Sequence, residues 1–222
     1  MIPGSTLFDI HLQHETQAMT MNEQPEQDPN LERIRLWDPA IRLFHWTLLI
    51  CVVAAWGLGE FGPDIMTLHF YFGYAVAALL GFRLIWGLVG PKVVRFTHFI
   101  YSPKTTLSYA SKIMERKPSY WRGHNPVGAL AVFALMGILI AQVATGLMGD
   151  PDDYINVGPL ASYVGYDTAT LAIEIHETLA PILLLLVLVH VAAIGFYKVW
   201  KREDLIKPMI TGWKWVKKAE TD

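Results

Sequence analysis

Four long apolar stretches separated by polar intervals dominate the pattern along the chain. The first runs from about Ile41 to Gly59, the second from about Met66 to Val89, the third from Val127 to Met148 and the fourth from about Ile173 to Trp200. Each is long enough to cross a ~30 Å hydrocarbon layer as a helix rising ~1.5 Å per residue. Local start signals agree. Asp38 is placed to cap the first helix with Pro39 in its first turn, and Gly123-His124-Asn125-Pro126 offers the same arrangement before the third. Pro103 to Glu115 has the spacing of an amphipathic helix lying on a surface. Met1 to about Leu31 has no periodicity, carries acids but no Lys or Arg, and predicts disorder. It has no basic segment leading into an apolar core, so it is not a secretory signal, and Met19 or Met21 is an alternative start. The predicted organisation is a disordered extension over 1–34, a helical domain over 35–215 and a tail over 216–222. The fold class is all-α, a four-helix transmembrane bundle.

Charge then orients the bundle. Lys and Arg fill the segment before the first span, the interval between the second and third spans, and the C-terminal segment. The other two intervals contain none, and Arg83 lies near the inner end of the second span. By the positive-inside rule both termini are cytoplasmic. Composition agrees with this class: 53% hydrophobic and 17% charged residues exclude an ordinary soluble domain. The single cysteine, Cys51, excludes an intramolecular disulfide, a cysteine metal cluster and covalent haem attachment.

Candidate chemistry lies in the histidines. His176 and His190 are fourteen residues apart in the fourth span. That spacing returns them to within about 40° of one direction and about 21 Å apart along the axis. Imidazole inside a membrane is costly, so its default reading is functional. Orientation pairs the remaining histidines with these two by depth. His45, at the inner end of the first span, meets His190; His69, at the outer end of the second, meets His176. Two neutral imidazoles facing one another suit a low-spin, six-coordinate haem iron, which favours electron transfer over oxygen chemistry. The alternatives are histidines bonded to neighbouring helices and a di-metal site; the depth separation and the lack of a mid-span carboxylate weigh against the latter. Gly73, one turn after His69, leaves room for something flat or for a close helix crossing. Gln142 and Thr145 are the polar residues of the third span.

Leu36-Trp37-Asp38-Pro39 and Arg42-Leu43-Phe44-His45-Trp46 resemble the opening of the prokaryotic cytochrome b561 family and of the cytochrome b subunits of nickel–iron hydrogenases. Gly123 to Gly128, the His176–His190 spacing and the tail Lys201 to Met209 are similar to the same group, so the resemblance covers Arg35 to about Trp215. It implies a di-haem b-type cytochrome of the bacterial cell inner membrane, with iron ligated by His45, His69, His176 and His190 in the pairing that depth gives. It further implies electron transport in a respiratory chain between membrane quinone and a partner such as a periplasmic c-type cytochrome. Anchoring of a hydrogenase-like complex and superoxide:quinone oxidation stay open, as does quinol:acceptor oxidoreductase activity. A non-redox membrane protein is the bland alternative.

Haem propionates need cations or amide donors. On the inner side these are Arg42, Arg83 and Lys198, with Arg83 first unless it snorkels to the interface. His124 is a candidate donor to a propionate or a quinone carbonyl, or else completes a helix cap. On the outer side no Lys or Arg exists, leaving Tyr154, Asn156, Ser162, Tyr163, helix N-termini or water. His11, His14 and His98 predict solvated side chains. The outer surface is acidic, with Glu60, Asp64, Asp150, Asp152, Asp153, Asp167, Glu174 and Glu177. It is either simply solvated or a docking face for a basic redox partner, and it repels an anion such as superoxide.

Overall fold

The computed structural model describes residues 26, 28–63 and 66–218. In chain order these form β1 (Leu31–Arg35), α1 (Pro39–Phe61), α2 (Thr67–Val89), two 3-10 turns (Lys92–Val94 and Phe96–His98), α3 (Pro103–Ser111) and α4 (Pro126–Met148). The short α5 (Ala161–Val164), the long α6 (Tyr166–Val199), α7 (Ile206–Thr211) and β2 (Trp213–Lys217) follow. Helices α1, α2, α4 and α6 are long and apolar enough to cross a membrane. The expected caps form. Asp38 accepts from the amides of Ala40 and Ile41 at 2.9 and 3.1 Å, and Asn125 accepts from Gly128 at 2.8 Å.

The fourth span starts earlier than hydropathy predicts, at Tyr166 instead of Ile173. Its first two turns are polar, so an apolar count passes over them. Ala169 and Ala172 are nevertheless buried, and the Ala169 carbonyl accepts the Asp150 amide at 3.2 Å. Pro181 is accommodated inside this helix.

A small sheet lies across the expected boundaries at 34 and 216. β1 and β2 pair antiparallel, from Leu31 opposite Lys217 to Arg35 opposite Trp213. Residues 31–34 are therefore strand, and so is the start of the expected tail. Side-chain alternation shows in β2, where Lys214 and Val216 are buried while Trp213 and Lys217 are exposed. The N- and C-terminal segments thus close the same end of the bundle. His11, His14, Met19, Met21 and Asp64 lie outside the described residues, as do the rest of 1–25, residue 27 and 219–222.

α1 packs along α2, α4 packs along α6, and α2 joins the two pairs through α4. One buried cluster, Leu36, Trp37, Ile41, Phe44 and Val94, sits beneath the sheet end. A second, of Cys51, Val76, Leu80, Leu139 and Leu183, draws one or two residues from each of the four long helices. Leu183 lies midway between His176 and His190 in sequence, so this apolar layer separates the two histidine levels.

A polar cap covers the sheet end. Lys214 and Glu203 form a buried ion pair at 2.9 Å. Arg42 Nη1 donates to the Ile210 carbonyl, and Trp46 Nε1 donates to that of Met209 at 3.1 Å. Gly212, with φ +85°, turns the chain so that its carbonyl accepts the amides of Leu36 and Trp37 at 2.8 and 3.2 Å.

Candidate functional site

At the end opposite the sheet, α2 presents His69 from its first turn and α6 presents His176. The two ring centroids are 6.0 Å apart with planes at 80°. His69 Nδ1 donates to the Ala55 carbonyl at 2.8 Å, and His176 Nδ1 donates to the Gln142 carbonyl at 2.8 Å. A carbonyl can only accept, so each Nδ1 carries the proton and each Nε2 keeps its lone pair for a ligand.

Both bonds use the same local device. A glycine stands four residues after each accepting carbonyl, Gly59 after Ala55 and Gly146 after Gln142. A Cβ on Gly59 would lie 3.2 Å from His69 Nδ1, and one on Gly146 would lie 2.8 Å from His176 Cε1. The His176 ring therefore occupies space that a Cβ on Gly146 would take, and the His69 ring packs tightly against Gly59. Gln142 adds a second tie, its Nε2 donating to the His176 carbonyl at 3.0 Å, and Thr145 Oγ1 lies 3.5 Å from His176 Nδ1. Sequence reasoning picked out Gln142 and Thr145 but missed both glycines. The signal for them is a small residue at histidine depth on a neighbouring span.

At the sheet end, His45 on α1 and His190 on α6 lie within electrostatic reach of one another. Here the surroundings are cationic and aromatic. Arg83 is 3% exposed and does not snorkel. Its Nη2 donates to the Val94 carbonyl at 3.1 Å and its guanidinium carbon sits 4.5 Å from the centre of the Phe96 ring. The Arg83 Nη1 and His45 Nδ1 atoms are buried without a hydrogen-bond partner among the described residues. His124 is held between Trp37 and Phe99, with centroids at 5.0 and 4.8 Å. Its Nδ1 is likewise buried and unpartnered. Burial first, then the charges of Arg83, Lys214, His190 and His45, push its pKa down to about 3, so it is neutral.

Other expected donors are placed differently. Arg42 ties α1 to the C-terminal segment, and Lys198 turns outward to 3.9 Å from Asp204. His98 is exposed. At the end opposite the sheet Tyr154, Ser162 and Tyr163 are exposed, while Asn156 Oδ1 accepts the Met66 amide at 3.0 Å and so joins the loop before α5 to the start of α2. A Cβ on Gly73 would meet nothing within 4 Å, which gives the open space expected one turn beyond His69. Among the described residues no group of three or more His, Cys, Asp or Glu is gathered for direct coordination of a metal ion.

The family model for prokaryotic cytochrome b561 matches residues 36–212, from the segment before α1 to the turn before β2. No curated protein matches the chain.

Proposed function

The chain belongs to the prokaryotic cytochrome b561 family, and on that premise we propose that it carries electrons across the bacterial inner membrane between quinone and a periplasmic redox protein. In this reading His45 and His190 ligate an inner haem b, and His69 and His176 an outer one. One observation carries it: a single helix, α6, supplies one histidine to each of two pairs, and an apolar layer around Leu183 lies between them.

The residues present fit the group. The outer imidazoles are held in the tautomer that leaves Nε2 free, and these nitrogens would hold the iron. The open space at Gly73 suits a flat macrocycle edge. The unpartnered Nη1 of Arg83 and Nδ1 of His124 suit propionate or quinone oxygens at the inner end. When bound, the haems would supply one-electron chemistry at the two histidine levels. The protein holds the ligands, excludes water between the two levels and places a buried cation at the inner one.

The reading puts the basic sheet end in the cytoplasm, with both termini, and the acidic outer loop in the periplasm. An acidic outer face with exposed Tyr154 and Tyr163 suits a basic partner such as a c-type cytochrome. Its association rate falls as salt rises; a rate indifferent to ionic strength contradicts this partner class.

Addition of a quinol analogue to the oxidised purified protein tests the proposal. The expected result is a low-spin b-type difference spectrum of the same amplitude as with dithionite. Reduction by dithionite but not by quinol would remove the quinone from the account.

A further inference from the structure

His69 and His176 each give their Nδ1 proton to a backbone carbonyl, and His45 does not. Its Nδ1 is buried without a hydrogen-bond partner. The χ2 torsion of histidine is broad, so a ring that lacks such a bond is turned by whatever packs against it. Trp46 packs against the His45 ring. The two ring centroids are 5.3 Å apart with planes at 87°, an edge-to-face contact.

Trp46 is itself anchored. Arg42 and Trp46 stand four residues apart on α1, so they are neighbours on one face of the helix. That face meets the C-terminal segment. Trp46 Nε1 donates to the Met209 carbonyl at 3.1 Å, and Arg42 Nη1 donates to that of Ile210. Both carbonyls lie in the last turn of α7, where a helix leaves its own acceptors unsatisfied. Just beyond, the Gly212 carbonyl takes the amides of Leu36 and Trp37 at 2.8 and 3.2 Å. The Arg42 guanidinium packs over Gly212, where an added Cβ would lie 3.5 Å from Arg42 Cζ and 2.9 Å from the Trp37 carbonyl oxygen.

Four donors from residues 36–46 thus converge on carbonyls of residues 209–212. In sequence they bracket His45, with Arg42 one turn before it and Trp46 directly after. The same clasp holds Trp37, whose ring lies against His124 with centroids at 5.0 Å. A different indole anchor of the cap, Trp200 Nε1 on the Met114 carbonyl at 2.9 Å, ties the end of α6 to the segment after α3 instead.

We propose that Trp46 is a positioning residue for the inner ligand: anchored on the Met209 carbonyl, it sets the ring plane of His45, and the clasp at residues 209–212 thereby couples the C-terminal segment to the inner haem. This rests on the di-haem reading above. Groups that orient a ligating imidazole tune the metal it holds. At the outer end the ligand's own hydrogen bond does this; at the inner end a neighbouring indole does it. The angle between two axial imidazole planes is read directly in the g values of a low-spin iron.

The test is electron paramagnetic resonance of the oxidised, haem-loaded full chain, with a redox titration of both haems, on Trp46→Phe and Gly212→Ala. Trp46→Phe keeps a ring beside His45 and removes the N–H that anchors it. Gly212→Ala acts from the other side of the clasp: alanine is strained at φ +85°, and its Cβ would press on the Trp37 carbonyl. Expected in both are shifted g values and a shifted midpoint potential for the inner haem, with the outer haem unchanged. Selective loss of the inner haem in either variant is the same result carried further. Trp200→Phe is expected to leave both haems as in wild type. Unshifted inner signals in Trp46→Phe overturn the proposal. So does an equal change in Trp200→Phe or at the outer haem, which would mark a general loosening of the protein. A wild-type protein without two b-type haems instead overturns the di-haem reading before any variant is compared.

Discussion

The two histidine pairs, outer and inner in the proposed orientation, are positioned by different means. At the outer end the backbone does the positioning: two carbonyls take the Nδ1 protons, and Gly59 and Gly146 leave room for the rings. No Lys or Arg is found there among the described residues. At the inner end the His45 Nδ1 has no partner, and the surroundings are a buried arginine, a neutral buried histidine and aromatic rings. The outer site is thus fixed mainly by helix packing. The other is lined by a buried cation and aromatic rings. The difference teaches that one fold can position two similar histidine pairs by different means, so the proposal expects them to differ in sensitivity to mutation.

Removing a ligand breaks the comparison most severely. His69→Ala or His176→Ala is expected to abolish the outer haem and leave the inner, and His190→Ala to do the reverse. Haem per polypeptide then falls from two to one, and retention of both in any of the three refutes the assignment. Next in size is Gly146→Ala, whose Cβ would approach His176 to 2.8 Å, against 3.2 Å between a Cβ on Gly59 and His69. Outer haem occupancy should drop by half or more in Gly146→Ala and much less in Gly59→Ala, with the inner signal constant in both. An equal loss of inner and outer signal would show that the glycine acts on the whole bundle. Arg83→Gln sharpens the inner side. Loss of a buried cation is expected to lower the inner midpoint potential by some tens of millivolts while leaving the outer one in place, as redox titration reads.

The smallest effect is on stability against pH. His124 has its folded pKa pushed down to about 3 from an ordinary 6.5. Between these values the unfolded chain binds a proton that the folded one does not, so stability rises with pH through this window and is lost on acidification. The loss contributed by His124 approaches tenfold in the folding equilibrium per pH unit. His124→Phe should flatten that part of the profile in a melting series; an unchanged profile contradicts the burial argument.

Hydropathy, length and caps are local properties, so the four spans and the Asp38 and Asn125 caps were legible in the sequence. The polar first turns of α6 were not, because Ala169 and Ala172 are covered by tertiary contact instead of belonging to an apolar run. Nor was the sheet: its two five-residue strands lie at opposite ends of the chain, and neither is stable alone. Pairing the histidines by depth needed only topology, and the structure brings His69 beside His176 and His45 within reach of His190. Arg83 was legible as an arginine needing a partner, although its partners, Val94 and Phe96, come from the following turns. The carbonyl and glycine device was not legible, since it depends on which helix faces which imidazole.

The haem content of the detergent-purified protein, read together with its reduced-minus-oxidised spectrum, tests the central claim most directly. Two b-type haems per chain with low-spin spectra are the predicted result. One haem would mean that one histidine pair is not a ligand pair, and a folded, colourless protein would contradict the account altogether.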